Sequence, residues 1–286
     1  MQERIERVLQ HKGVTVPTFL YGTAWKENRT QELVEAALAA GFRGIDTANQ
    51  RRHYYEKGVG EAVRLAIDRG SLARSDLFLQ TKFTYAAGQD HRLAFDPRAD
   101  YPTQVRQSLA SSLDHLHIDY VDSYILHGPA TLHGFNHADQ EVWRTMEQLH
   151  KEGSVKTIGV SNMGFDQLTA LLDFAHQPPA FVQNRCFARS RWDARIREVC
   201  KANGIIYQGF SLLTANASEI DHVQLHDIAR GLGRTLAQVV FRFCLQVGML
   251  PLTGTTSSQH MQEDLEVHDF QLSLSEIKII ENIAFM

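Results

Sequence analysis

At 286 residues the chain is long enough for one large domain or two small ones, and its ordinary apolar share fills a sizeable core. A net charge of -4 with dispersed lysines and arginines leaves no basic footprint for nucleic acid, and no stretch approaches the length of an apolar membrane span. Cys186, Cys200 and Cys244 form neither a CxxC pair nor an even-numbered disulfide framework, and read as small hydrophobes in a reducing compartment. The N-terminus, Met1 to Ile5, lacks an apolar signal core, so a soluble cytoplasmic protein is expected.

In chain order, Leu9 to Pro17 alternates loosely around Gly13 and predicts a short hairpin. Thr18 to Tyr21 is a strand running into Gly22-Thr23-Ala24-Trp25. Thr30 is placed to cap a helix carrying Leu33, Ala36, Ala37 and Ala40, which Gly41 stops. A short apolar strand then ends on Asp46. Val59, Ala62, Val63 and Ala66 mark the next helix face, and Leu77 to Lys82 the next strand. A polar loop with Pro97 and Pro102 leads to a helix with Val105, Leu109, Leu113 and Leu116. The strand Tyr120 to Leu126 ends at His127, and Val142, Met146 and Leu149 form a helix closed by Gly153. Val155 to Val160 ends in Ser161-Asn162, and Leu168, Leu171 and Leu172 follow at helical spacing. Ala180 to Val182 ends at Gln183-Asn184, and Trp192, Ile196, Val199 and Cys200 precede Gly204. Ile205 to Phe210 ends at Ser211 and gives way to a looser polar segment. The clearest helix (Leu236, Val239, Val240, Phe243, Cys244, Val247) precedes the last strand, Met249 to Leu252, which runs into Gly254-Thr255-Thr256.

Eight strands alternating with helices imply βαβ units and a parallel sheet. At this length they fit a closed (β/α)8 TIM barrel with a short N-terminal β-hairpin, forming one domain over residues 1–286. An open doubly wound sheet would carry GxGxxG after its first strand, where this chain has Gly22-Thr23-Ala24-Trp25. In a barrel, polar residues at the C-terminal strand ends converge on one face. Here those residues are Asp46, Lys82, His127, Ser161-Asn162, Gln183-Asn184, Ser211 and Gly254-Thr255-Thr256.

A carboxylate at a buried strand tip is costly unless paired, and Lys82 one unit later supplies a cation for Asp46. An ammonium beside a phenol favours phenolate, so a tyrosine near Lys82 is expected to have a lowered pKa and to act as general acid. His127 is suited to orient a substrate oxygen. Ser161, Asn162 and Gln183 offer partners for a carboxamide such as that of nicotinamide, and Phe210 a flat face for a ring. Gly254-Thr255-Thr256 allows close backbone approach to phosphate at a helix N-terminus.

Across essentially its whole length the chain resembles the aldo-keto reductases. The resemblance rests on Gly13 to Pro17, Gly44-Ile45-Asp46-Thr47-Ala48, Thr81-Lys82, Leu113 to His127, Ile158 to Asn162 and Gly254 to Leu265. It implies a metal-free barrel reducing aldehydes or ketones with NADPH or NADH, its catalytic tetrad falling on Asp46, Lys82, His127 and a tyrosine. To the cofactor contacts it adds Thr23, Ala24, Asp46, Ser211, Leu213, His260 and Asp264. The family spacing, counted back from Glu56 and Val59-Gly60, lands on His53; Tyr54 is the first candidate for the acid, with Tyr55 and His53 behind it. Family members that prefer NADPH usually carry a cation pair where this chain has Gly254 and His260, and an Asn where it has Asp264. Weak discrimination, or NADH preference, is therefore expected. Trp25, Tyr55 and Trp192 are candidate pocket walls, and with little chain after Ile283 an open site of loose specificity is expected.

The histidine pairs His133/His137 and His222/His226 have i,i+4 spacing but no HExxH glutamate, and read as solvated faces. Two other functions are compatible with the pattern: a Schiff-base lyase using Lys82, and a cofactor-binding sensor or interaction subunit with little turnover. Nothing in the sequence sets the oligomeric state.

Overall fold

The structure, a computed structural model, describes residues 6–286; the stretch Met1 to Ile5 lies outside the described residues. Two short strands, β1 (Val8–His11) and β2 (Val14–Pro17), pair antiparallel. Lys12 and Gly13 join them, both at positive φ (47° and 83°), the handedness a two-residue hairpin turn requires. Eight further strands follow: β3 (Leu20–Gly22), β4 (Gly44–Asp46), β5 (Phe78–Phe83), β6 (Val121–Leu126), β7 (Val155–Ser161), β8 (Phe181–Arg185), β9 (Ile206–Phe210) and β10 (Met249–Thr253). They close into a parallel barrel in sequence order, with β10 pairing β3. The helices between them are α1 (Thr30–Ala40), α2 (Glu56–Asp68), α3 (Tyr101–Leu116), α4 (His137–Glu152), α5 (Phe165–Phe174) and α6 (Ala194–Ala202). After β9 come α7 (Ala217–Ile220), α8 (Val223–Leu232) and α9 (Leu236–Gln246), and after β10 come α10 (Ser258–Leu265) and α11 (Leu274–Glu281).

Strand alternation sorts the core into two. Outward residues such as Ile45, Leu79, Phe83, Val182 and Tyr207 join the layer under the helices. Inward residues Leu20, Phe78, Ile125, Phe181, Leu250 and Leu252 pack with Val14 and Val16 of the hairpin, which closes the N-terminal end of the barrel. The inward side of β5 then climbs from Phe78 through Gln80 to Lys82, all fully buried. Polarity inside the barrel thus rises toward the C-terminal mouth.

Four local expectations change. Thr30 is the first residue of α1 rather than its cap: its hydroxyl donates to Glu27 O (2.7 Å), and the flanking Arg29 makes no side-chain cap. The polar segment after Ser211 contains α8, whose apolar side (Leu225, Ile228, Ala229) is interrupted in sequence by His226 and Asp227. Trp192 precedes α6, at φ 53°, because the chain turns through Arg191, Trp192 and Asp193 before the helix starts. Pro102 sits inside the first turn of α3, where its missing N–H costs nothing.

Packing makes two helical glycines opposite in kind. A Cβ on Gly60 of α2 would overlap the carbonyl oxygen of His115, whereas one on Gly231 of α8 meets nothing within 4 Å. Gly60→Ala is expected to destabilise the protein by roughly 2–4 kcal/mol, and Gly231→Ala to stabilise it by roughly 0.5–1 kcal/mol. Urea unfolding of the two variants measures both; equal effects would contradict this packing.

Candidate active site

At the top of the barrel interior, Lys82 Nζ donates to both oxygens of Asp46, at 2.6 and 2.7 Å, and to Thr47 O at 2.7 Å. Neither side chain is appreciably exposed. Burial pulls the lysine pKa down and Asp46 pushes it back up, the net direction being downward. The carboxylate has two more donors, Gln80 Nε2 (2.7 Å) and Gln183 Nε2 (3.0 Å), both on Oδ1. Thr23 lies beside this pair, its backbone N–H and its hydroxyl both donating to Asp46 O at 3.0 Å. The proton of that hydroxyl is therefore spent on the barrel, and its oxygen keeps acceptor capacity.

The loop between β4 and α2 carries the tyrosines. Asn49 and Gln50 pin it: Asn49 Nδ2 donates to Ser108 O (3.0 Å) and Gln50 Nε2 to Gly88 O (2.8 Å). Gln50 O then accepts from the backbone N–H of both His53 and Tyr54, making a turn. His53 swings outward, its ring 4.0 Å from that of the exposed Trp25 and its carbonyl accepting Trp25 N–H. Tyr54 is turned the other way. The centroid of its ring lies 5.3 Å from Lys82 Nζ and 5.7 Å from the His127 ring, edge to face. Tyr55 lies under the Arg51 guanidinium (4.5 Å), and both tyrosines line a cavity of about 380 Å³.

The phenol does not behave as expected. Burial, and the Asp46 carboxylate after it, push the Tyr54 pKa well above its usual value. Lys82 does not reverse this, because its ammonium already serves Asp46 and Thr47. Tyr54 therefore keeps its proton at neutral pH. His127 is held neutral by burial, with Lys82 and His53 lowering its pKa further. Its Nδ1 bonds Thr84 Oγ1 (2.7 Å), leaving Nε2 without a partner among the described residues.

The remaining strand-end residues lie at the same C-terminal end of the barrel. Asn162 donates Nδ2 to His127 O (2.8 Å) and to Ser161 Oγ (3.1 Å). Phe210 is half-buried at the end of β9, with Ser211 and Leu213 partly exposed after it and Ala24 partly exposed after β3. Gly254 and Thr256 are exposed and Thr255 half-buried before α10, whose cap Ser257 accepts from His260 N. Lys26, which sequence reasoning passed over, is buried and donates to Gly254 O (2.8 Å). No carboxylate among the described residues pairs with it, and burial with Arg29 nearby lowers its pKa to about 8. A Cβ on Gly254 would have only Gly22 O and Lys26 Nζ within 4 Å, so the backbone is open to a phosphate beside a cation. The open backbone, the unpaired cation and the half-buried ring fit a nicotinamide dinucleotide.

One expectation does not hold here. Trp192 is fully buried, with Nε1 donating to Ile280 O (2.8 Å), and so belongs to the core rather than the pocket wall. Gln183 has both amide hydrogens committed to Asp46 and Gln208, which leaves only its carbonyl for a ligand. Gln80, Gln208 and Thr84 were also missed; the inward phase of Gln80 and Gln208 on their strands was the available signal. Among the described residues no group of three His, Cys, Asp or Glu is placed to hold a metal. His222 caps α8 and His226 bonds Asp221 (2.9 Å).

A model of the aldo/keto reductase family matches residues 18–284. Among curated proteins, the chain is similar to an uncharacterized oxidoreductase, YtbE, of Bacillus subtilis, 31% identical over 274 residues covering 95% of this chain and 90% of the relative. It is also similar to glyoxal reductase of the same organism, 30% identical over 278 residues covering 96% and 92%. Among solved structures it is similar to an aldo/keto reductase from Brucella melitensis, with a TM-score of 0.81, 26% identity and coverage of 96% and 98%. A second similar structure is an aldo-keto reductase complexed with NADPH, with a TM-score of 0.83, 25% identity and coverage of 96% and 87%.

Asp264, on the inner side of α10, is buried, and its Oδ2 has no hydrogen-bond partner. Burial raises its pKa to about 6, against the smaller opposing effects of Thr253 and His260. A carboxyl whose folded pKa is raised favours folding below its unfolded pKa, and that contribution is lost as pH rises through about 6. Asp264→Asn is therefore expected to be more stable than the parent by roughly 1–3 kcal/mol at pH 7–8, with the gain vanishing below about pH 4. Thermal melts across that range measure it; a variant less stable at pH 7.5 would contradict the assignment.

Proposed function

The chain belongs to the aldo/keto reductase family, and from that premise we propose that its reduction of aldehydes or ketones runs on Asp46, Lys82, His127 and Tyr54, with Tyr54 as the proton donor. The observation that carries this reading is the protonated Tyr54 ring lying 5.3 Å from Lys82 Nζ and 5.7 Å from the His127 ring.

The carbonyl oxygen of the substrate lies between the Tyr54 hydroxyl and His127 Nε2. A bound nicotinamide cofactor supplies the hydride. As negative charge grows on the oxygen, the Tyr54 O–H bond breaks and the proton completes the alcohol. The resulting phenolate is costly where it is buried, and the Lys82 ammonium offsets that cost only because Asp46 keeps it charged and fixed. Neutral His127 orients the oxygen without competing as an acid. Ser161, Asn162 and the Gln183 carbonyl would hold the carboxamide, Phe210 would offer a face to the ring, and Ala24, Ser211 and Leu213 would flank the middle of the dinucleotide. Gly254, Thr255, Thr256 and Lys26 take phosphate. With a neutral His260 and the carboxyl of Asp264 where a 2′-phosphate clamp would be needed, NADPH and NADH are both accepted.

Two other readings lose support. All three ammonium hydrogens of Lys82 are engaged and the side chain is sealed from solvent, which argues against a Schiff-base lyase. Tyr54 beside Lys82 favours turnover over a sensor role. Three buried, unpaired thiols fit a reducing, cytoplasmic setting.

The test is NAD(P)H oxidation across a panel of aldehydes and ketones that includes glyoxal, the substrate a 30% identical relative is named for. Tyr54→Phe should lower kcat by roughly 10²–10⁴-fold, with Tyr55→Phe near the parent. The two cofactors should differ in kcat/KM by no more than about tenfold. Full activity in Tyr54→Phe would remove it as the acid, and a strong NADPH preference would overturn the cofactor reading.

A further inference from the structure

Strands β5 and β6 run side by side with Phe83 opposite Leu126, so the next residue of each, Thr84 and His127, stand level at the mouth of the barrel. Both share the inward phase of Lys82 and Ile125. Thr84 is buried, and its methyl packs on Gly88, where an added Cβ would lie 2.9 Å from Thr84 Cγ2. Its carbonyl accepts from Gln89 Nε2 (3.2 Å), which also donates to Asn49 O (3.1 Å). With the methyl against Gly88, the stiff β-branched side chain directs its hydroxyl at His127. There Oγ1 meets Nδ1 at 2.7 Å, its sole hydrogen-bond partner among the described residues. The histidine backbone is pinned too, His127 N–H by Phe83 O (2.9 Å) and His127 O by Asn162 Nδ2 (2.8 Å).

The direction of the Thr84–His127 bond follows from counting hydrogens. Burial keeps the ring neutral, and a neutral imidazole has one N–H and one bare nitrogen. If Nδ1 carried the proton it would donate to Oγ1, and the hydroxyl hydrogen would be buried with no acceptor. If the hydroxyl donates, Nδ1 accepts and the ring proton sits on Nε2. That arrangement strands no hydrogen between the two side chains. Turning the ring over about Cβ–Cγ would set a carbon against the hydroxyl and break the same bond. One hydrogen bond thus fixes both the orientation of the ring and the place of its proton.

We propose that Thr84 is a positioning residue whose hydroxyl holds His127 as a fixed Nε2–H donor to the substrate oxygen. The proposal rests on the reductase reading above, in which Nε2 faces that oxygen. His127 keeps its proton throughout, and the proton of the alcohol comes from Tyr54. The Nε2–H bond strengthens as negative charge grows on the oxygen, so misplacing it lowers kcat more than it raises KM.

Long-range proton–nitrogen correlation spectra of histidine-labelled protein report which ring nitrogen is protonated, with His127 assigned by its absence in His127→Asn. The parent should show Nε2–H with Nδ1 as a hydrogen-bonded acceptor. Thr84→Val, of the same shape without the hydroxyl, should lose that bond at Nδ1 and lower kcat by about tenfold, with the affinity for NADPH unchanged. Thr84→Ser, which restores the hydroxyl, should recover most of the lost kcat. The tautomer is read in the parent alone, so a variant that does not fold leaves the proposal open to refutation. A parent protonated on Nδ1, a Thr84→Val enzyme with the parent kcat, or a Thr84→Ser enzyme as slow as Thr84→Val would overturn it. A parent that reduces no carbonyl on the panel would overturn the reductase reading instead, with the spectra still deciding the tautomer.

Discussion

A lysine and an aspartate facing each other inside a barrel, with almost no exposure to water, is the constraint from which the rest of the site follows. Each ion would be expensive to bury alone, and attraction between them offsets that cost only if their remaining hydrogen-bonding capacity is met. It is met here. The ammonium is shared among Asp46 Oδ1, Asp46 Oδ2 and Thr47 O, while Oδ1 also takes an N–H from Gln80 and one from Gln183. Replacing one of these groups with an apolar one would leave a buried partner unsatisfied, so the cluster behaves as a unit.

The barrel supports this unit by layering its interior. Hairpin residues Val14 and Val16 seal an apolar floor with Phe78 and Phe181. The amides come next, and the charged pair lies at the mouth. On β5 a single strand carries all three layers, through Phe78, Gln80 and Lys82, and its other side carries Leu79 and Phe83 against the helices. Charge is held at the one end where loops can bring a substrate, which is also the end where Lys26 meets Gly254.

Much of this was legible in the sequence. Strand–helix alternation specifies the barrel, and the phase of polar residues at strand ends picks out Asp46, Lys82 and His127, because side-chain direction in a strand follows residue number. Loops have no such period. Tyr54 became certain as the neighbour of Lys82 only with the turn at Gln50, which rotates His53 out and Tyr54 in. Gln80 and Gln208 share the inward phase of Lys82 and Phe210 but read as strand filler, since their value lies in one another across the barrel. Lys26 carries no signal in the sequence, because only the fold sets it against Gly254. The direction of the Tyr54 pKa was misjudged for a related reason: proximity to an ammonium was visible, but the prior commitment of that ammonium to Asp46 was not.

The account stands on Tyr54 holding its proton in the resting protein, kept there by burial and by the Asp46 carboxylate. Ultraviolet difference titration of the parent against Tyr54→Phe isolates the tyrosinate absorbance of this one residue. No difference signal should develop as pH is raised through the ordinary tyrosine range near about pH 10. A tyrosinate signal from Tyr54 with a midpoint at or below about pH 10 would contradict the account, and would mean that Lys82 governs the phenol rather than Asp46.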